Sequence, residues 1–314
     1  MRGIDVTAIG VLCARVRVEE KQVIAALADA GVVALPVPPT SAPMPPGPAT
    51  ADLAALGTHQ PADASAHQTL DVVIDRCQNR HVAAAMLPLL KLGGAQVIDA
   101  GLAATGTRLE VATALATAGI PRPQAFIAMS EASALDAAAR LGYPATLLPQ
   151  QPGTAATALL DHDTAEAVIE HRVVLGTHGE AIVLLQAGAP AGDRLGRHHV
   201  VGDAVIATEG ALAGEAAQAL AVEAAQALGA QAITVDVAEV NGVLVVWDVA
   251  AVADFRVATL TGERTVGQAL ADLATAKMPV MAGASRFEDV PVAVAPQGWE
   301  VQVRDGVVGI SLSA

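Results

Sequence analysis

The order in which two hydrophobic periods alternate along this chain constrains its fold more than any single residue does. Residues 7–12 form a compact apolar run of strand character, and 18–30 then show helical spacing, with Val23, Ile24, Leu27 and Ala28 on one face. Gly31 ends that helix and VVALPV supplies a second strand, so the chain opens as βαβ and its first sheet is parallel. A strand at 70–74, a helix at 79–91, a short strand at 95–98 and a helix at 108–118 continue the alternation. The stretch 36–66, rich in Pro, Ala, Ser and Thr, has hardly a periodic residue and reads as an extended, mobile surface loop within this first unit. Gly119, Pro121 and Pro123 then break the pattern.

Beyond them the order changes. Strands are predicted at 125–129, 145–148, 156–160 and 181–186, with helices at 131–141, capped by Ser130, and at 164–171. This β-α-β-β-α-β run describes a small two-layer α+β unit. A strand pair within 198–208 turns at Gly202-Asp203, an Ala-rich helix covers 213–228, and strands 233–238 and 243–249 meet at Asn241-Gly242. A last helix spans 266–276, and a terminal hairpin, 299–303 with 307–312, turns at Asp305-Gly306.

With 53% hydrophobic but 2% aromatic residues, the core must be built from closely packed Ala, Val and Leu. No apolar run reaches the roughly 18 residues needed to cross a bilayer. The start loosely mimics a signal peptide, but Asp5 interrupts the apolar run and a first strand is the better reading. Cys13 and Cys77 lie far apart in no metal-ligand spacing and read as reduced thiols of a cytoplasmic protein. A net charge of −14 without a basic stripe argues against a nucleic-acid partner. His198 and His199, adjacent on a strand, point to opposite faces, and the other histidines are scattered, so no metal site is predicted.

Several stretches carry a resemblance. CARVRVEEKQVIAAL (13–27), ATGTRLEVATALATAGIPRPQ (104–124), LGYPATLLP (141–149), DHDTAEAVIEHR (161–172), LLQAGAPAGDR (184–194) and VVGD (200–203) resemble, in order and near spacing, motifs of LysX, the RimK-like branch of the ATP-grasp superfamily. The likeness runs over 9–276 and implies an α/β and α+β ATP-grasp fold. Its parts would be an N-terminal βαβ domain (1–103), an ATP-grasp region (104–277) with a lid at 121–188, and an extension (278–314). LysX-type enzymes use ATP to form an acyl phosphate on the C-terminal glutamate of a small acidic carrier protein, which an amino acid's amine then attacks. That chemistry needs cations on the phosphates and carboxylate or amide ligands for Mg²⁺.

The motifs depart from the family at the same centre. The lysine of G-D-K corresponds to Arg108, and the lysine of G-Y-P-x-x-x-K-P to Leu148. The loop G-S-W-G-R becomes PGTAA (152–156), where Pro152 removes an N–H from any phosphate cradle. V-Q-E-Y keeps Gln186 but has Ala187 in place of the glutamate, D-I-R-V keeps Arg197 but has Leu195 in place of the aspartate, and the segment after it is largely missing. Of the metal motif N-E-V-N, Asp248 remains while Ala250 replaces the asparagine; Asp236 is kept.

Arg15, Arg17, Glu20 and Lys21 match the family's N-terminal surface motif, and Arg76 and Asn79 sit after the third strand, at the C-terminal edge of a parallel sheet, where open α/β folds bind ligands. They are read either as a solvated helix start with an N-cap or as a face toward a carrier or paralogous subunit. The expectation is a non-catalytic homologue, without ATP or Mg²⁺, acting as a partner of an active LysX paralogue or as a carrier-binding subunit in amino-acid biosynthesis, and assembling as a dimer or tetramer. The alternative is an active ATP-dependent ligase with a site rebuilt from Arg108, Arg197, Asp236 and Asp248.

Overall fold

The computed structural model describes residues 8–39, 70–173, 182–190, 192–278, 299–304 and 307–312; of the Pro- and Ala-rich stretch, 40–66 lie outside them. Strands β1 (Ala8–Leu12), β2 (Val33–Val37), β3 (Leu70–Asp75) and β4 (Gln96–Ile98) form a parallel sheet in the order β2-β1-β3-β4. Every residue of β1 is buried, as a strand covered on both faces must be. Helix α1 (Val18–Asp29) covers one face, packing Val23 and Leu27 near Ile9 and Val11. Helix α2 (Arg80–Leu92) covers the other, placing Ala83, Leu87 and Leu90 near Ala8 and Leu12. Asn79 is the N-cap of α2, its side chain accepting from the Val82 amide at 3.2 Å.

A single helical turn, α3 (Leu102–Thr105), which periodicity did not foresee, leads into α4 (Arg108–Thr117). Thr107 and Glu110 form a capping box that starts α4 and fixes Arg108 as its first residue.

The β-α-β-β-α-β unit follows: β5 (Ala125–Ala128), α5 (Glu131–Leu141), β6 (Ala145–Leu148), β7 (Thr157–Leu159), α6 (His162–Val173) and β8 (Val183–Ala187). Its antiparallel sheet has the order β5-β8-β6-β7. The Ser130 and Asp161 side chains cap the two helices by accepting from the Ser133 and Thr164 amides. Alternation along β6 and β8 sends Ala145, Leu147, Val183 and Leu185 to the helices and leaves Leu148, Leu184 and Gln186 on the opposite face.

The central sheet contains β9 (Leu195–Val201), β10 (Ala204–Gly210), β11 (Ala232–Val240), β12 (Val243–Ala250) and β13 (Thr259–Leu260) in the order β12-β11-β9-β10-β13. Helix α7 (Glu215–Ala227) joins its core to the α2 face of the parallel sheet, and α8 (Val266–Ala276) packs against α1. Ala217, Ala221, Ala224 and Ala225 are all buried, so α7 approaches its neighbours closely without aromatic volume. Gly101 marks the tightest approach: a Cβ there would lie 2.1 Å from the Leu228 carbonyl oxygen, and its φ is +56°. Strands β14 (Trp299–Arg304) and β15 (Val307–Leu312) form a separate hairpin. Among the described residues, no helix is long and apolar enough to cross a membrane.

Candidate functional site

One face of the central sheet collects the charged residues singled out from the sequence. Register sets Arg197 on β9 opposite Glu209 on β10 and Asp236 on β11, and Asp236 opposite Asp248 on β12, so four adjacent strands carry one row of charge. Glu209 was not anticipated. The turn at Gly202-Asp203 pairs Val201 with Ala204, and a one-residue irregularity after Val205 brings Glu209 to Arg197; only the turn is visible in the sequence.

The cations and carboxylates of this row satisfy one another. Arg197 donates from Nε and Nη2 to Asp236 at 2.8 and 3.0 Å. Burial pushes the Asp236 carboxyl up from its usual range while Arg197 opposes it, and the hydrogen bonds to Asp236 raise Arg197. We read the two-point contact as an ionic pair. Arg108 reaches across from α4, its Nε donating to Asp248 Oδ1 at 2.9 Å and its Nη2 to Oδ2 at 2.5 Å. The same guanidinium donates to the carbonyls of Pro149 and Thr154, each at 2.6 Å, and the Arg108 amide donates to Gln150 O at 2.6 Å. Only 3% of Arg108 is exposed.

Above the row, the open face of the small sheet closes down. Leu148 and Leu184 pack on Ala112 of α4, and Gln186 Nε2 donates to the Trp247 carbonyl at 3.2 Å. Gln186 Oε1 is buried without a hydrogen-bond partner. Gly153, with φ +79°, sits over Ala250, where its Cβ would come within 3.2 Å of that side chain. Arg122 also lines this cleft, its Nη1 donating to Ala112 O at 2.9 Å; it is placed by the Val246 amide, which holds the Pro121 carbonyl. The space left among these residues is about 20 Å³, room for one water.

The N-terminal group divides. Glu20 is buried, bound by Arg17 Nε and Nη2 at 3.0 and 2.8 Å and by Arg76 Nε at 3.0 Å. Burial would raise its carboxyl, but these arginines outweigh that and hold it below its usual range. Arg76 is also buried; it donates to Ala253 O at 2.7 Å and lies over the Phe255 ring. These two tie the parallel sheet to the central one and cannot meet a partner. Arg15 and Lys21 are exposed and Arg17 half-exposed, while Asn79 is spent on its helix cap. His198 and His199 do face opposite ways: His199 contacts Thr234 and Glu209 at 3.1 and 3.0 Å, whereas both ring nitrogens of His198 lack partners. Among the described residues no group of His, Cys, Asp and Glu is arranged to hold a metal ion.

No protein-family model matches the chain. Its structure resembles ATP-grasp proteins over most of its length. A RimK-domain ATP-grasp protein from Sphaerobacter thermophilus is 27% identical, with a TM-score of 0.65 over 86% of this chain and 100% of that one. The ATP-grasp ligase PsnB, in a complex with its minimal precursor, Mg and ADP, is 18% identical with a TM-score of 0.60, covering 86% of this chain and 97% of that one. The D-alanine–D-alanine ligase of Coxiella burnetii is 11% identical, with a TM-score of 0.57 over 81% and 87%. The last two likenesses show the fold, which is ATP-grasp. Within that superfamily the chain is RimK-like.

The ligand this fold implies, ATP with Mg²⁺, does not fit the residues present. Phosphates would have to take Arg108 and Arg197 from carboxylates that already hold them in two-point contacts, and Mg²⁺ would have to take those carboxylates from the arginines. Leu148, buried to 2% exposure, presents hydrocarbon to the cleft, which a polyanion would have to displace or lie against.

Proposed function

We propose that this chain is a non-catalytic ATP-grasp homologue of the LysX kind, without ATP or Mg²⁺ binding, serving in the cytoplasm as a partner or carrier-binding subunit in amino-acid biosynthesis. The observation that carries this reading is the pairing of Arg108 with Asp248, beside a space of about 20 Å³, and of Arg197 with Asp236 on the adjoining strands. Each pair is neutral, so neither Arg108 nor Arg197 is a free cation for a phosphate chain and neither Asp236 nor Asp248 a free carboxylate for a divalent ion. Isothermal calorimetry with Mg·ATP tests it: no binding heat is expected, and a micromolar dissociation constant would sink the reading in favour of an active ligase.

The partner is a small acidic carrier protein or an active LysX paralogue. Support comes from the exposed Arg15 and Lys21 on a chain whose net charge is −14; Arg256, though its side chain is 55% exposed, is paired with Glu19 and Asp254. Exposed cations on an acidic molecule favour an acidic surface and speed its docking. Co-purification from the native host checks this. Recovery of either partner supports it, and recovery of nothing but a dimer or tetramer of this chain counts against it.

A further inference from the structure

The cleft is held shut by protein atoms, and one side chain touches three separate parts of the molecule. Arg108 stands on α4, the carboxylate it grips is on β12, and the carbonyls of Pro149 and Thr154 belong to the loop between β6 and β7. We propose that Arg108 is a built-in lock that keeps the small α+β unit closed on the central sheet with no ligand between them.

The geometry suits arginine alone. Its planar fork gives Asp248 two parallel bonds from Nε and Nη2 and turns Nη1 and the second Nη2 hydrogen toward the loop carbonyls. Lysine, a point charge on a flexible stem, could not reach all of these at once. Opening the lid would strip two carbonyls from a guanidinium that is 3% exposed and lift the apolar Leu148–Leu184 contact off Ala112. It would also break the bond from Gln186 to the Trp247 carbonyl, a second seam between the same two units. An arginine on the first turn of a helix is disfavoured by the helix dipole, and Asp248 offsets that directly. The inference deepens the non-catalytic reading and rests on it in one respect, that no nucleotide enters the cleft to share in closing it.

Spin labels on the full chain at Glu166→Cys in α6 and Glu223→Cys in α7, both exposed, report the lid distance by double electron–electron resonance; native Cys13 and Cys77 are buried. The otherwise unaltered protein should give one narrow distance, unchanged by Mg·ATP. Arg108→Lys, which keeps the charge, and Asp248→Asn, which keeps the shape, should each broaden the distribution about twofold or more while helix content by circular dichroism stays constant. A broad distance in the unaltered background overturns the lock, as does a width that neither variant changes. If the distance is broad alone and narrows with Mg·ATP, both inferences fall. Calorimetric ATP binding with a narrow, unchanged distance sinks the non-catalytic reading and leaves the lock standing.

Discussion

Leu148 shows what a single residue does to this cleft. Its side chain is 2% exposed and packed with Leu184 and Ala112, so Leu148→Lys would bury an ammonium beside Arg108, whose charge is already paired. We expect that variant to be less stable than the parent by about 2–3 kcal/mol in urea titration and to show no ATP binding by calorimetry. Restored binding would overturn the view that the whole site, not one position, has changed. His198 is the second telling residue. Burial, reinforced by neighbouring His199, lowers its imidazole to about 4. The unfolded chain, titrating near 6.5, therefore binds the proton first as pH falls. Stability should drop between pH 6.5 and about 4, by on the order of 3 kcal/mol, and no further below that on this residue's account. Denaturant titrations at stepped pH should show that limb flattened in His198→Leu.

Elements were legible where local chemistry specifies them. Ser130 caps α5, and the periodic run to Leu141 matches the helix; the four residues of β6 and the helix α8 likewise fall where spacing puts them. Helix α3 was missed because four residues cannot display a 3.6-residue period. Strand β13 was missed because both its residues are exposed and carry no alternation. The start of α4 matters most, since the Thr107–Glu110 box aims Arg108. Thr107→Ala should cost about 1 kcal/mol in chemical denaturation. The loss is expected with the fold retained, because α4 keeps its packed face at Val111 and Leu115.

At the scale of the molecule, the parallel and central sheets share their cores: residues of β1, β3, β9 and α8 lie in one cluster, and those of α2, α7, β11 and β12 in another. Gly101 sits where these units touch most closely. Gly101→Ala would press a Cβ against the Leu228 carbonyl in a φ that alanine rarely adopts, so we expect a loss of about 3 kcal/mol or more and a single melting transition at lower temperature by calorimetry. The sequence by itself determined the order of strands and helices, because hydrophobic period and caps act within a few residues. It also carried the resemblance to ATP-grasp proteins and, as that resemblance implies, a leucine, Leu148, at a position where the family motif has lysine. It did not contain the state of the surviving charges. Arg108 and Asp248 stand 140 residues apart and Arg197 and Asp236 stand 39 apart, and whether such groups hold a ligand or hold each other depends on distances of a few ångströms. Those distances are set by the register of β9, β11 and β12 and by the seating of α4, so only the tertiary structure decided that the cleft is filled by its own ion pairs.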